Sequence, residues 1–379
     1  MKILHLIYTR GISGAEKYLL DLLPGLKEYG IECELMLVSP GKFSQQLESY
    51  CRSMEALGVK TIRLSAFRTG FISAAWKINR YLRKNDIRYM HSHLFNTDLL
   101  VALVKQFFHK RIFIISSKHG YSEKVLKRYT GDKAKISHDL YYFITRYTLG
   151  RIDENLSISN GISNLYYNLK LSKTHYPVIP HGINISSNTG MDDKELYRKG
   201  PQQLIIVGRL EEFKGHRYLI DALPEVIKLF PGLQLLILGE GSQKTVLKQQ
   251  AEDLRVSENV MFLGFKDDPY SFIASSDIII LPSLFEPFGL VYIESFALRV
   301  PVIAFDTPAG NEIIVHNETG ILVPRGDSNA IARNIIFLLQ NEGERTRLSE
   351  NAYRRYLDFY NTARMIKDTA AYYRKLPLR

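Results

Sequence analysis

The chain has 379 residues with 50 Lys+Arg against 39 Asp+Glu, a formal charge of +11, and a hydrophobic content of 45%. That length exceeds one ordinary core and calls for two domains, and the composition excludes a disordered chain. Cys33 and Cys51 are too few for a disulfide framework or a thiolate metal site, which points to a reducing compartment.

The first strand is Lys2–Tyr8, and the polar Thr9-Arg10-Gly11 that follows argues against a signal peptide. Further strands are expected at 31–38, 60–64, 88–91, 112–117, 154–159 and 177–179, with amphipathic helical stretches at 15–29 and 97–108 between them. Apolar runs such as 277–281 are strand-sized, so no spanning helix is expected. Near Pro180-His181-Gly182-Ile183-Asn184 the alternation breaks into a polar stretch over 186–193, read as a linker. It resumes with strands at 203–207, 234–238, 259–263, 277–281, 301–305 and 320–323. From Ser328 onward everything reads as helix, the last being 363–375. Alternation of this kind predicts two Rossmann-like, doubly wound parallel sheets, with ligands beyond the carboxyl ends of the strands.

Charge is distributed unevenly. Residues 1–180 hold 27 Lys+Arg and 14 Asp+Glu, and the remainder 23 and 25. The excess suggests an anionic partner for the first domain (membrane, polyanion or nucleic acid) or simple solubility. It forms two patches. In 71–84, Ile72, Trp76 and the 78–82 region are expected to face inward and Lys77, Arg80, Arg83 and Lys84 outward. The second comprises Lys118, Lys124, Lys127, Arg128, Lys133 and Lys135, followed by Tyr141, Tyr142, Phe143 and Tyr147. Interleaved aromatics suit an anionic lipid leaflet. No nucleic-acid motif is present, so nucleic acid is not expected as a partner.

Four strand-to-helix turns carry candidate chemistry. Gly11-Ile-Ser-Gly14 opens a helix, so it can approach a phosphate or be a plain tight turn. After 203–207, Gly208-Arg209 and Lys214-Gly215 place two cations where they could converge on one anion. Gly239-Glu240-Gly241 could pass a nucleotide or merely be tight. The segment Glu286-Pro287-Phe288-Gly289-Leu290-Val291 leads into a helix carrying Glu294. The two carboxylates suit sugar or ribose hydroxyls, and the N–H groups of 288–291 suit an anion. His93 and His119 stand at strand ends, whereas His5, His138 and His316 show no partners at metal-ligand spacing.

Taken together, Val207-Gly-Arg-Leu with Lys214-Gly215, Gly239-Glu-Gly241, Glu286-x7-Glu294, Pro301-Val302 and Glu312 resemble the retaining GT-B glycosyltransferases of the GT4 family. The Gly11–Lys17 loop, Ser92-His93, Lys118-His119-Gly120, Ile158-Ser159 and 179–184 fall in the family's order. The resemblance implies two domains facing a cleft: 1–183 together with a C-terminal helix (363–379) crossing back to it, and a nucleotide-sugar domain, 184–362. It implies a sugar transferred from a UDP-sugar, less often a GDP-sugar, to a glycan or lipid-linked acceptor, as in cell-surface polysaccharide or glycolipid synthesis. Arg209 and Lys214 would hold the diphosphate, Glu294 the ribose and Glu286 the donor sugar. Gly14 would approach the diphosphate, with His119 beside the sugar and acceptor. His119, Glu286, Lys214 and Arg209 would then be the catalytic set, and Gly208, Gly264, Phe265, Phe288, Gly289, Leu290 and Val291 would complete the donor site. No Asp-x-Asp occurs, so neither metal nor other cofactor is expected. A cytoplasmic location is expected, with the basic first domain able to hold the protein peripherally on the inner face of an anionic membrane. An epimerase of the same fold and a non-catalytic partner subunit remain the alternatives.

Overall fold

The computed structural model describes residues 1–65, 70–120, 140–185 and 197–377. The chain folds as two compact units, residues 1–182 with 362–379, and residues 183–361.

The first unit is built on β1 (Lys2–Tyr8), β2 (Glu32–Ser39), β3 (Lys60–Ser65), β4 (Tyr89–His93), β5 (Phe113–Lys118) and β6 (Glu154–Ser157). All pair in parallel in the order β3-β2-β1-β4-β5-β6. The helices are α1 (Gly14–Leu26), α2 (Gln45–Ala56), α3 (Gly70–Lys84), α4 (Phe95–Phe107), α5 (Leu140–Leu149) and α6 (Asn160–Asn168). The strand order reverses between β1 and β4, so right-handed crossovers put α1 and α2 on one face and α3, α4 and α5 on the other. The expected strand at 177–179 is only a single bridge, Ser157 to Val178.

The second unit repeats the plan with β7 (Gln203–Val207), β8 (Gln234–Leu238), β9 (Val260–Gly264), β10 (Ile278–Leu281), β11 (Val302–Phe305) and β12 (Ile321–Val323), in the order β12-β11-β10-β7-β8-β9. Its helices are α7 (His216–Leu229), α8 (Lys244–Asp253), α9 (Tyr270–Ala274), α10 (Leu290–Ala297), α11 (Pro308–Ile313), α12 (Ser328–Gln340) and α13 (Glu342–Arg355). Ile278, Ile279 and Ile280 of β10 are fully buried, as an apolar run covered on both faces requires. A π-helical turn, Tyr356–Tyr360, closes this unit, with the Ile183 N–H donating to Tyr360 O at 2.9 Å.

The last helix, α14 (Thr362–Tyr373), then returns to the first unit and lies on α1. Gly25 of α1 admits it: a Cβ there would stand 2.3 Å from Ile366 Cδ1. Tyr373 is fully buried in that layer.

On α3 the structure reverses part of the expected orientation. Ala74, Ala75, Ile78 and Leu82 form the buried side, while Ile72 and Trp76 are 67% and 48% exposed beside Lys77, Arg80, Arg83 and Lys84. The small Ala74 and Ala75 suit close packing on the α4 layer, and the bulky pair is left outside. Among the described residues no helix is long and apolar enough to cross a membrane. Cys33 and Cys51 are buried free thiols.

Candidate active site

In the second sheet the direction of winding reverses between β7 and β10, and crevices at such points are where open α/β sheets bind ligands. Gly208, Arg209 and Lys214 follow β7, and Glu286 follows β10, so the two sides of the reversal supply the predicted cations and the first predicted carboxylate. They meet: Lys214 Nζ donates to Glu286 Oε2 at 2.5 Å, with both side chains mostly covered. Arg209 is exposed and lies 5.3 Å from the Phe213 ring centroid. Glu294, half-buried on α10, shares the helix whose start carries Phe288, Gly289, Leu290 and Val291. Phe288 itself is buried, its ring edge-on to that of Tyr360 at 6.3 Å.

Glycines shape this rim by letting backbone pass backbone. Gly215 has φ +72°, and a Cβ there would sit 1.8 Å from Pro282 O. Gly239, at φ +146°, would put one 1.9 Å from Gly208 O, and Gly241 one 2.4 Å from Leu210 O. The loop after β8 is therefore tight because it packs on the loop after β7. Gly289 (φ +96°) would drive a Cβ into the Tyr292 ring at 2.3 Å. Gly208 differs: its Cβ would meet only the Lys214 stem, at 3.7 Å, an ordinary contact. Within the described part of this unit nothing requires a glycine there. Gly264 ends β9, and its carbonyl accepts from the Gly239 N–H at 2.9 Å. The Phe265 ring is 71% exposed.

His216, the first residue of α7, was not singled out by the sequence. It is buried, both ring nitrogens lack a partner among the described residues, and burial with the nearby Lys214 pushes its pKa down to about 4.

In the first unit, Gly14 opens α1 after β1. The preceding Ser13 is capped by Glu16, whose carboxylate accepts from Ser13 N–H at 2.9 Å and Ser13 Oγ at 2.5 Å. That reciprocal cap explains the sharp entry into the helix. His119 follows β5. Its Nε2 is 2.9 Å from His93 Nδ1, and its Nδ1 is 3.1 Å from His181 Nε2. Desolvation and the neighbouring Lys118 hold it neutral, with its pKa lowered to about 3.

Lys118 is not part of a surface patch. It is 3% exposed and pairs with Asp98 Oδ2 at 2.5 Å, while Ser92 and Ser116 donate to Asp98 Oδ1. Alternation along β5 sends 116 and 118 to the α4 face and 117 to the α1 face. Removing one partner of so buried a pair ordinarily costs about 3 to 5 kcal/mol. The rest of that expected patch, Lys124, Lys127, Arg128, Lys133 and Lys135, lies outside the described residues. Of the aromatics after it, Tyr142 is buried, whereas Phe143 and Tyr147 are 55% and 38% exposed.

His5, read from the sequence as having no partners, also proves to be clustered. It is the register partner of His91 across β1 and β4, and His5, His91 and His93 are each fully buried within reach of one another. The His-x-His spacing on β4 was the available signal, since residues two apart on a strand share a face.

Comparison with known proteins agrees with this architecture. The family model for Glycosyltransferase Family 4 matches residues 12–187 and that for Glycosyl transferases group 1 matches 189–355. The chain is 37% identical over 185 residues to the phosphatidyl-myo-inositol mannosyltransferase of Mycobacterium leprae, a match covering 47% of this chain but only 49% of that protein. It is 27% identical over 359 residues to the lipopolysaccharide core biosynthesis glycosyltransferase of Rhizobium meliloti, covering 93% of each. The Anabaena HepE crystal structure in complex with UDP superposes with a TM-score of 0.79 at 18% identity, over 99% of this chain and 100% of that one. Two family models that together run almost end to end, on two parallel six-stranded sheets of GT-B type, make this chain a member of glycosyltransferase family 4.

Proposed function

We propose that the protein transfers a sugar, with retention, from a UDP-sugar to a glycan or lipid-linked acceptor. The observation that carries this reading is the pairing of Lys214 with Glu286 at the reversal point of the second sheet, with Arg209 exposed on the same loop after β7. The bond from the sugar's anomeric carbon to the diphosphate oxygen breaks, and one to the acceptor hydroxyl forms on the same face. The acceptor's proton passes to the departing phosphate. Arg209 and Lys214 neutralise the diphosphate without a metal, because charge-assisted donors fixed in advance do so with little reorganisation. Lys214 is already held by Glu286, so the diphosphate takes a share of an existing charge pair. Glu294 accepts from the ribose, Glu286 from the sugar, and the absence of a side chain at Gly208 lets the diphosphate approach the backbone. HepE was crystallised with UDP, which supports uridine as the base.

Replacing Lys214→Ala is expected to lower transfer about ten- to a hundredfold, from the loss of one charge-assisted bond of about 1.5 to 3 kcal/mol. UDP should raise the melting temperature of the parent protein and not of the variant. The absence of any shift with UDP or GDP would refute the donor reading. Epimerisation of a nucleotide-sugar by the enzyme alone would replace transfer with isomerisation.

The exposed face of α3 supports an anionic membrane surface as a second partner. Ile72 and Trp76 can enter an interface while Lys77, Arg80 and Lys84 meet anionic headgroups, Arg80 lying 5.8 Å from the Trp76 ring. The double change Trp76→Ala with Arg80→Ala is expected to weaken binding to phosphatidylglycerol-rich vesicles about tenfold, with UDP affinity unaltered. Unchanged vesicle binding in a sedimentation assay would remove this surface from the proposal.

A further inference from the structure

Five imidazoles and two hydroxyls run unbroken through the core of the first unit. Ser117 Oγ lies 2.8 Å from His91 Nε2, and His91 Nδ1 lies 2.5 Å from Tyr373 OH. The same hydroxyl is 3.4 Å from His5 Nε2, and His5 Nδ1 is 3.1 Å from His93 Nε2. His93 Nδ1 then reaches His119 Nε2 at 2.9 Å, and His119 Nδ1 reaches His181 Nε2 at 3.1 Å. Every ring-to-ring link joins the Nδ1 of one imidazole to the Nε2 of the next.

That uniformity has a chemical consequence. A neutral imidazole donates from one nitrogen and accepts at the other, and a hydroxyl donates once while accepting. In a head-to-tail chain, one ring protonated on Nδ1 therefore obliges all to be. A single ring in the opposite form leaves two N–H groups, or two lone pairs, facing each other in a buried space. We propose that these side chains act as one hydrogen-bonded chain of a single sense, which fixes from within the core which nitrogen of His119 carries the proton. The proposal rests on the reading above only in taking His119 to stand beside the reacting sugar. His5, His91, His93, His181 and Tyr373 are then positioning residues for it.

A metal site is the competing use of His5, His91 and His93. Their six ring nitrogens are all engaged in the chain, and the rings of His5 and His93 lie 13° from parallel, those of His91 and His93 24°. Each of those nitrogens would have to leave its hydrogen-bond partner before it could turn to a metal. The groups facing the chain are consistent with neutrality. Lys118 from β5 is the near cation, paired with Asp98 of α4. Tyr18 of α1 stacks on His181 at 4.4 Å and meets His119 edge-on at 4.9 Å; burial raises its pKa, as it does those of Tyr373 and Cys33 of β2. The five rings are themselves pushed down by desolvation.

The test is long-range proton–nitrogen spectroscopy on the whole protein with 15N-labelled histidine, assigned by single His→Gln variants. All five rings should be neutral at pH 7 and share one tautomer. Neighbouring rings in opposite tautomers, or a ring titrating in the ordinary histidine range, would overturn the chain. So would a rise in melting temperature with zinc, which would place the rings on a metal. Tyr373→Phe removes one link and should turn the His119 signals into a tautomer mixture. The kcat should fall about fivefold, the equivalent of one hydrogen bond, while KM for the donor holds. Should that variant not fold, Ser117→Ala opens the chain at its end. His93→Gln, whose amide both donates and accepts, should preserve the single tautomer, and His93→Phe should not. Unaltered His119 signals in Tyr373→Phe refute the proposal. A shifted tautomer with an unchanged rate sustains the chain and refutes the placement of His119 at the reacting sugar.

Discussion

Taking the pH from about 7.5 to about 5.5 will destabilise the first unit by about 6 kcal/mol. The cause is its set of buried neutral imidazoles. His5 and His119 have pKa values lowered to about 3, and His91, His93 and His181 lie well below the ordinary 6.5. The unfolded chain takes up a proton at each ring near pH 6.5 and the folded one does not, so the unfolded state binds more protons below that value. Stability is therefore complete above about pH 6.5 and is lost as the pH falls through the window down to the folded values. At pH 5.5 each ring contributes between about 1 and 2 kcal/mol to the loss. Asp21, pushed up to about 6 by burial, acts in the opposite direction and returns about 1 kcal/mol. Domains are ordinarily stable by about 5 to 15 kcal/mol, so a loss of this size brings the unit near its unfolding midpoint. Trp76 is the single tryptophan and belongs to this unit, so urea titrations followed by its fluorescence report on it directly. A change below about 2 kcal/mol would mean that the rings are not buried neutral. In the second unit His216 alone is lowered among the described histidines, so its acid sensitivity should be about one-fifth as large.

Gly215→Ala is expected to destabilise the second unit by about 3 kcal/mol or more and to lower UDP affinity at least about tenfold. Two effects combine. The residue sits at φ +72°, where a Cβ costs about 1 to 2 kcal/mol. That Cβ would also fall 1.8 Å from the carbonyl oxygen of Pro282, which is backbone at the end of β10 and cannot swing aside as a side chain could. Relief requires the loop after β7 to move away from β10, and this separates Lys214 from Glu286. Gly208→Ala supplies the contrast. Its Cβ has ordinary room at 3.7 Å from Lys214, so stability should change by under about 1 kcal/mol while UDP affinity drops. A Gly208→Ala protein that binds UDP as the parent does, measured by calorimetry, would show that the diphosphate does not approach there.

Much of the fold was legible because its signals are local. β1, β7 and β8 have the bounds that alternation and turn residues indicate, and the break at Pro180–Asn184 coincides with the passage between units. The order Arg209, Lys214, Glu286 was legible for the same reason, as loops after strands can be read in sequence. The failures share a different cause. Lys118 was grouped with the basic residues that follow β5; only Asp98 of α4, which pairs with it and accepts from Ser92 of β4 and Ser116 of β5, makes its burial tolerable. Trp76 was placed inside because it is large and apolar, whereas the packing of α3 selected the side bearing Ala74 and Ala75.

The sequence by itself determined two α/β units, their sheets, and which loops carry the cations and carboxylates, since these depend on periodicity and on residue types a few positions apart. Tertiary structure decided what those residues touch. The Lys214–Glu286 pair spans 72 residues and the link from His91 to Tyr373 spans 282. A parallel sheet brings such positions together through strand order, which leaves no mark in local composition, and the low dielectric of the core then decides which of them carry charge.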